Sequence, residues 1–290
     1  MRSVPGTGEP ERGPDRRYLR QSRAMIVAVN CPSERERLAA TFTHPGVADA
    51  YQHRPPYPPK VFGVLERLIT DRPRTVLDLG AGEGALARPL AGLVDHVDAL
   101  DISAAMVDAG RRRPGGSHPS LRWIVGSAET AALGGPYALI TAGASLHWMS
   151  WPRTLPRLAA AMTGHAYLAI AEHGYRDLPW RTDLAEIIDR HSRYSSYDPG
   201  FSLVGALCAG GLFETAGQAA VTPEPFRQSV ASYVEHFHST ASLARELMPA
   251  KESAAFDHAV EELVRPYAVD GILEMNVVTQ LDWGRITVVS

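Results

Sequence analysis

A strand that runs directly into a glycine-rich turn constrains this chain more than any other feature. Val76-Leu77-Asp78-Leu79-Gly80-Ala81-Gly82-Glu83-Gly84 sets an apolar run ahead of three glycines, with a helical pattern over residues 84–93 behind them. Glycine tolerates the positive φ values of a tight turn and lets a ligand approach the backbone closely. Downstream, residues 96–100 read as a second strand, and it ends in Asp101, 21 residues after Gly80. A carboxylate at the tip of the neighbouring strand is well placed to accept hydrogen bonds from both ribose hydroxyls. Turn and acid together point to a nucleoside-bearing cofactor at the carboxyl edge of an open α/β sheet.

The rest of the chain agrees with such a sheet. Short apolar runs at 75–79, 96–100, 121–125, 137–142 and 166–171 alternate with helical patterns, which predicts a doubly wound, mostly parallel sheet. An amphipathic helix over 61–69 leads in behind Pro58 and Pro59, and Ser103 caps a helix that ends at Arg112 before Pro114-Gly115-Gly116. A further helix is expected over 152–162. Beyond Glu172 the pattern changes. Leu184, Ile187, Ile188 and His191 mark one helix, Val230, Tyr233, Val234 and Phe237 a second, and Phe256, Val260, Leu263, Val264 and Tyr267 a third. These predict a helical cap around 178–200 and 228–268, and residues 272–283 alternate like a last strand. The stretch 1–40 carries eight arginines against five acids, with scattered Pro and Gly, and reads as a disordered tail before a domain over 41–290.

Composition narrows the function. With 45% hydrophobic residues in 290, a sizeable core can form. A formal charge of −3 and no basic patch after residue 40 argue against a nucleic-acid partner. Two cysteines supply neither a disulfide framework nor a cysteine zinc site, and no apolar run is long enough to span a membrane, so a cytoplasmic protein, monomer or homodimer, is expected. His236 and His238, two apart on one helix, point about 200° away from each other and cannot share an ion there, so no metal is expected.

Two cofactor classes fit the turn. Gly80, Gly82 and Ala85 satisfy the dinucleotide fingerprint, so an NAD-linked oxidoreductase remains an alternative. Asp78 weighs against it, because a carboxylate in the strand just before the turn repels a pyrophosphate, whereas it attracts the ammonium and sulfonium of S-adenosylmethionine.

Four blocks carry a family resemblance: Asp78-Leu79-Gly80-Ala81-Gly82-Glu83-Gly84, Ala99-Leu100-Asp101-Ile102-Ser103, Val125-Gly126-Ser127-Ala128-Glu129 and Ala142-Gly143-Ala144-Ser145-Leu146-His147-Trp148. With Tyr51, Arg54-Pro55-Pro56-Tyr57-Pro58 and Trp283-Gly284-Arg285, the chain resembles the class I S-adenosylmethionine-dependent methyltransferases, in the small-molecule branch that includes trans-aconitate methyltransferase. The resemblance covers roughly 42–286. It implies a Rossmann-like seven-stranded sheet, S-adenosylmethionine as cofactor, and methyl transfer to a small-molecule acceptor, first of all an oxygen of a carboxylate or hydroxyl, with nitrogen or carbon as alternatives. It further implies that Asp78, Gly80, Ala81 and Gly82 meet the methionine end, Asp101 the ribose, Ile102 and Met106 the adenine face, Ser127, Ala128 and Glu129 the adenine edge, and Ala142 the wall beside the sulfonium. Where this chain has Ser127, the family often has aspartate, so the adenine amino group meets a hydroxyl without charge assistance.

Chemistry is expected from few groups. His147, just past the fourth strand, is the candidate general base, or else a pocket residue beside Trp148. Tyr51 and Arg54 are expected to fold over the methionine end, where Arg54 pairs with a carboxylate of cofactor or substrate; a carboxylate acceptor would also suit Arg181. Trp148, Tyr233 and His236 are candidate substrate contacts, and Glu172-His173 a weaker pair at the cleft.

Overall fold

A computed structural model of the chain describes residues 32–193 and 201–287. Seven strands form one sheet: β1 (Thr75–Leu79), β2 (His96–Asp101), β3 (Leu121–Val125), β4 (Tyr137–Gly143), β5 (Met162–Arg176), β6 (Phe213–Ser229) and β7 (Ile272–Ile286). Their order is β3-β2-β1-β4-β5-β7-β6. The first five pair in parallel, and β7 runs antiparallel between β5 and β6. The order reverses between β1 and β4, so a crevice opens at their carboxyl ends, the place where open α/β sheets bind ligands.

Helices cover both faces, named in chain order α1 (Pro32–Thr41), α2 (Pro45–Ala50), α3 (Pro59–Leu68), α4 (Ala87–Ala91), α5 (Ala104–Arg112), α6 (Trp151–Ala160), α7 (Arg181–His191), α8 (Leu203–Ala209), α9 (Val230–Phe237) and α10 (Ala250–Val264). Alternation along β1 divides the core. Val76 packs in one layer with Val61, Leu65, Leu90 and Val97 under α3 and α4. Leu77 and Leu79 pack in the other with Ile140, Leu158, Leu203 and Leu207 under α6 and α8. Pro59 begins α3 at a position whose N–H would have no helical partner, and the Ser103 hydroxyl accepts the Met106 N–H at 3.2 Å to cap α5.

The strands differ in length, and this builds the cap. β1 to β4 have five to seven residues, whereas β5 and β7 have 15 and β6 has 17. The long strands run past the carboxyl edge as an antiparallel ribbon that carries α7, α9 and α10. Trp180, Tyr233, Phe237, Phe256, Val260 and Leu273 close a separate core there. These helices therefore stand on the sheet's own strands.

Three expectations change. The tail drawn to residue 40 is too long, because α1 forms over Pro32–Thr41 and its Leu38 is fully buried against Ala241. Residues 1–31 lie outside the described residues, as does most of the loop before Phe201. The helix expected over 84–93 shrinks to Ala87–Ala91, since the chain first turns through the glycines. Finally, β6 falls on a stretch that carries no strand pattern. It holds Pro223 and Pro225, which an edge strand paired on one side only can accommodate. Among the described residues, no helix is long and apolar enough to cross a membrane.

Candidate active site

The glycine turn is shaped as its sequence requires. Gly80, Gly82 and Gly84 have φ of +65°, +58° and +80°. At Gly80 a Cβ would also lie 2.5 Å from the Ser145 Cβ, so space and conformation both demand glycine. Ser145 bolts the turn to the segment after β4 by donating its hydroxyl to the Leu79 carbonyl at 2.5 Å. Asp101 sits beside the turn at the tip of β2. Its Oδ2 accepts the Gly82 N–H at 2.7 Å and its Oδ1 the Ser103 N–H at 2.8 Å. A carboxylate has about four acceptor sites, so two stay open toward the crevice for ribose hydroxyls.

Asp78 lies beneath the turn and is buried, with Thr141 donating to Oδ1 at 2.8 Å and the Ala87 N–H to Oδ2 at 3.0 Å. Burial pushes its pKa up to about 7. It lines the floor of the crevice and anchors the start of α4. Ile102 exposes 52% of its surface beside Asp101, and Met106 is buried with Val47, Ala48 and Ala244. Ser127 donates to the Glu129 carboxylate, whose other oxygen accepts the Ser150 N–H at 2.8 Å.

These residues line one cavity of about 1100 Å³ that runs from the turn into the cap. Every site residue expected above reaches it except Ala142, whose side chain is buried in the layer of Leu77 and Ile140. Gly143 and Ala144 take its place, the latter at φ +49°. Ala142 is corrected to a core residue because strand alternation turns it away from the ligand.

The lead-in segment forms the cavity's near wall through five hydrogen bonds. The His53 carbonyl accepts from Gln228 Nε2 at 2.6 Å, and the His53 ring bonds Ser232 at 2.6 Å. Arg54 donates to the Ser239 hydroxyl at 2.7 Å and to the Ser239 carbonyl at 3.0 Å, and His173 Nε2 donates to the Pro55 carbonyl at 3.1 Å. The Arg54 guanidinium lies 4.2 Å over the Tyr51 ring. Burial, then the Arg54 charge, pushes the His147 pKa down to about 3, and its Nδ1 has no hydrogen-bond partner. His147 is thus neutral and weakly basic, stacked 4.5 Å from Trp148. Burial, opposed in part by the hydrogen bond of its Nδ1 to the Tyr233 carbonyl at 2.5 Å and aided by the Arg54 charge, holds the His236 pKa near 3 as well. Sequence reasoning passed over Phe42 and Tyr175, aromatic walls of the cavity that look like ordinary core residues in a linear pattern, and gave Tyr57 no role beyond the resemblance.

Residues 76–165 match the family model of a methyltransferase domain. These residues form a methyltransferase domain. This decides between the two cofactor classes in favour of S-adenosylmethionine. Curated relatives of the domain include the malonyl-[acyl-carrier protein] O-methyltransferase of Anoxybacillus flavithermus, 28% identical over 40% of this chain and 46% of that protein. An uncharacterized methyltransferase of Mycobacterium tuberculosis is 30% identical over 37% of this chain and 54% of its own. The chain spans about half the length of these relatives. In fold it is similar to a proposed type II methyltransferase from Anaeromyxobacter dehalogenans, with a TM-score of 0.57 and 19% identity over 80% of this chain and 96% of that one. The methyltransferase domain's cofactor also fits the crevice, with open acceptor sites on Asp101, an exposed apolar Ile102 and a turn that only glycine can adopt.

Proposed function

We propose that this chain transfers the methyl group of S-adenosylmethionine to an oxygen of a small-molecule acceptor held between the sheet edge and the cap. The continuity of the cavity carries this reading: one space of about 1100 Å³ connects Asp101 and the glycine turn with Trp148, Tyr233 and His236. That is at or above the upper end of ordinary small-ligand pockets, roughly 300–1,000 Å³, and leaves room for a second molecule beside a cofactor. The O-methyltransferases among the curated relatives support oxygen as the accepting atom.

When bound, the cofactor supplies a sulfonium-activated methyl group. The chain's own work is placement. Asp101 takes the ribose hydroxyls, and Ile102 and Met106 flank the adenine whose edge faces Ser127, Ala128 and Glu129. Gly80, Ala81 and Gly82 present backbone to the methionine end, Asp78 draws its ammonium, and Arg54, steadied on Tyr51, takes its carboxylate. Trp148 and His147 wall the place where the acceptor oxygen meets the methyl group, and the cap excludes water. Holding two reactants in line at about 3–3.5 Å supplies several kcal/mol of barrier lowering.

Calorimetric titration with S-adenosylmethionine, S-adenosylhomocysteine and NAD tests the reading. Micromolar binding of the first two and none of NAD is expected, followed by methyl transfer to members of a panel of alcohols, phenols and acids. Binding of NAD alone would overturn it.

A further inference from the structure

His236 projects from α9 into the cap side of the cavity. Its Nδ1 lies 2.5 Å from the Tyr233 carbonyl oxygen, which can only accept, so Nδ1 carries the proton. A neutral imidazole holds one N–H, so Nε2 is a bare lone pair. Among the described residues it has no hydrogen-bond partner and keeps some exposed surface, on a residue that lines the cavity. Burial, the largest influence, outweighs the Tyr233 hydrogen bond and with the Arg54 charge disfavours the imidazolium, which keeps Nε2 an acceptor. The ring is held in place by Phe237 at 4.0 Å, Tyr233 at 5.0 Å and Tyr175 at 5.5 Å. The cavity it lines carries Leu178, Leu184, Ile188, Phe226 and Val278, with Arg54 and Arg181 among its charged members.

An ionised carboxylate has no hydrogen to offer a lone pair, and the two acceptors would repel. A hydroxyl has one. Resting on the methyl-transfer reading above, we infer that His236 Nε2 accepts a hydrogen bond from the methyl acceptor, and that this acceptor is an apolar molecule presenting a hydroxyl group. His236 then orients the nucleophilic oxygen, while the apolar wall holds the body of the molecule. This narrows the oxygen acceptor from carboxylate or hydroxyl to hydroxyl.

The test uses three naphthalene probes on the protein saturated with S-adenosylhomocysteine: 2-naphthol, which donates; 2-methoxynaphthalene, which cannot; and 2-naphthoate, which is an anion. Calorimetry should find 2-naphthol bound about tenfold more tightly than either of the others, the worth of one hydrogen bond. His236→Phe should bring 2-naphthol and 2-methoxynaphthalene within about twofold, and His236→Gln, whose amide oxygen can accept, should restore part of the gap. Retained S-adenosylhomocysteine binding certifies that each variant is folded. Tighter binding of 2-naphthoate, no measurable 2-naphthol binding, or a 2-naphthol preference unchanged in His236→Phe would each overturn the inference. The wild-type comparison decides even if a variant fails to fold. Failure of S-adenosylhomocysteine to bind the wild type would instead strike the methyl-transfer reading itself.

Discussion

Asp101 and Gly82 are joined across the crevice by a 2.7 Å hydrogen bond from the glycine N–H to the carboxylate Oδ2. On the proposed reading, the acid that meets the ribose also fixes the turn that meets the methionine end. Removing it loses two charge-assisted contacts with the ribose and loosens the turn, each contact worth about 1.5–3 kcal/mol. Asp101→Ala is expected to weaken S-adenosylhomocysteine binding by about 100-fold or more in calorimetry. Asp101→Asn, which keeps one acceptor oxygen, should fall between.

Asp78 predicts a pH dependence. Burial raises its pKa to about 7, above the ordinary carboxylate value, so the folded state prefers it protonated. Such a group stabilises the fold at low pH, and that contribution is lost as pH rises from about 4 through about 7. Asp78→Asn keeps the shape without the charge. Its melting temperature, relative to the parent's, should rise between about pH 5 and pH 8, by an amount equivalent to a few kcal/mol at most. An ammonium beside Asp78 reverses the preference, so cofactor binding should release a proton below about pH 7. Calorimetry in two buffers of different ionisation enthalpy reads that proton, and Asp78→Asn should abolish it.

Arg54 has two functions that substitutions separate. It ties the lead-in segment to Ser239 just beyond α9, and it faces the cavity over Tyr51. Losing the Ser239 hydroxyl removes one tie but keeps the cation, so Ser239→Ala should change S-adenosylhomocysteine affinity by less than about threefold. Arg54→Ala should weaken it by about tenfold or more, and Arg54→Lys should recover only part, because an ammonium cannot reproduce the guanidinium fork. Equal affinities for Arg54→Ala and the parent would reduce Arg54 to a strap.

His147 holds a pKa pushed down to about 3, first by burial and then by Arg54, so it stays neutral across the working range. A base so weak contributes little proton transfer near neutrality. Turnover of His147→Gln should therefore follow the parent's pH profile between about pH 6 and 9, with only its height changed. A profile whose alkaline or acid limb disappears in the variant would return the base role to His147.

The parts of this site that were legible in the sequence are those where backbone geometry restricts residue type. Positive φ at Gly80 and Gly82, a carboxylate at the tip of β2 and a serine cap before α5 each leave a local mark. Ala142 was misplaced because a one-residue step along β4 exchanges the core face for the ligand face, and the motif alone does not say which residue ends the strand. β6 was hidden because a strand paired on one side only tolerates prolines and a register shift between Val221 and Glu224, which erase the alternation. Arg54 meets Ser239, and Pro55 meets His173, only through tertiary contacts between segments over a hundred residues apart, for which no local pattern exists.

Leu38 tests how far the folded unit extends toward the N-terminus. It sits in α1 among charged residues, which disguises the helix, yet it is fully buried, and with Ala241 and the partly exposed Phe42 and Trp148 it forms a small cluster at the cavity. Deleting a buried leucine side chain down to alanine costs about 2–5 kcal/mol, depending on how well the site collapses. Leu38→Ala should therefore lower the melting temperature by several degrees. Because Trp148 also lines the cavity, the same variant should weaken binding of an apolar probe such as 2-naphthol more than it weakens S-adenosylhomocysteine. If both stability and probe binding match the parent, α1 is an appendage, and the cavity closes without it.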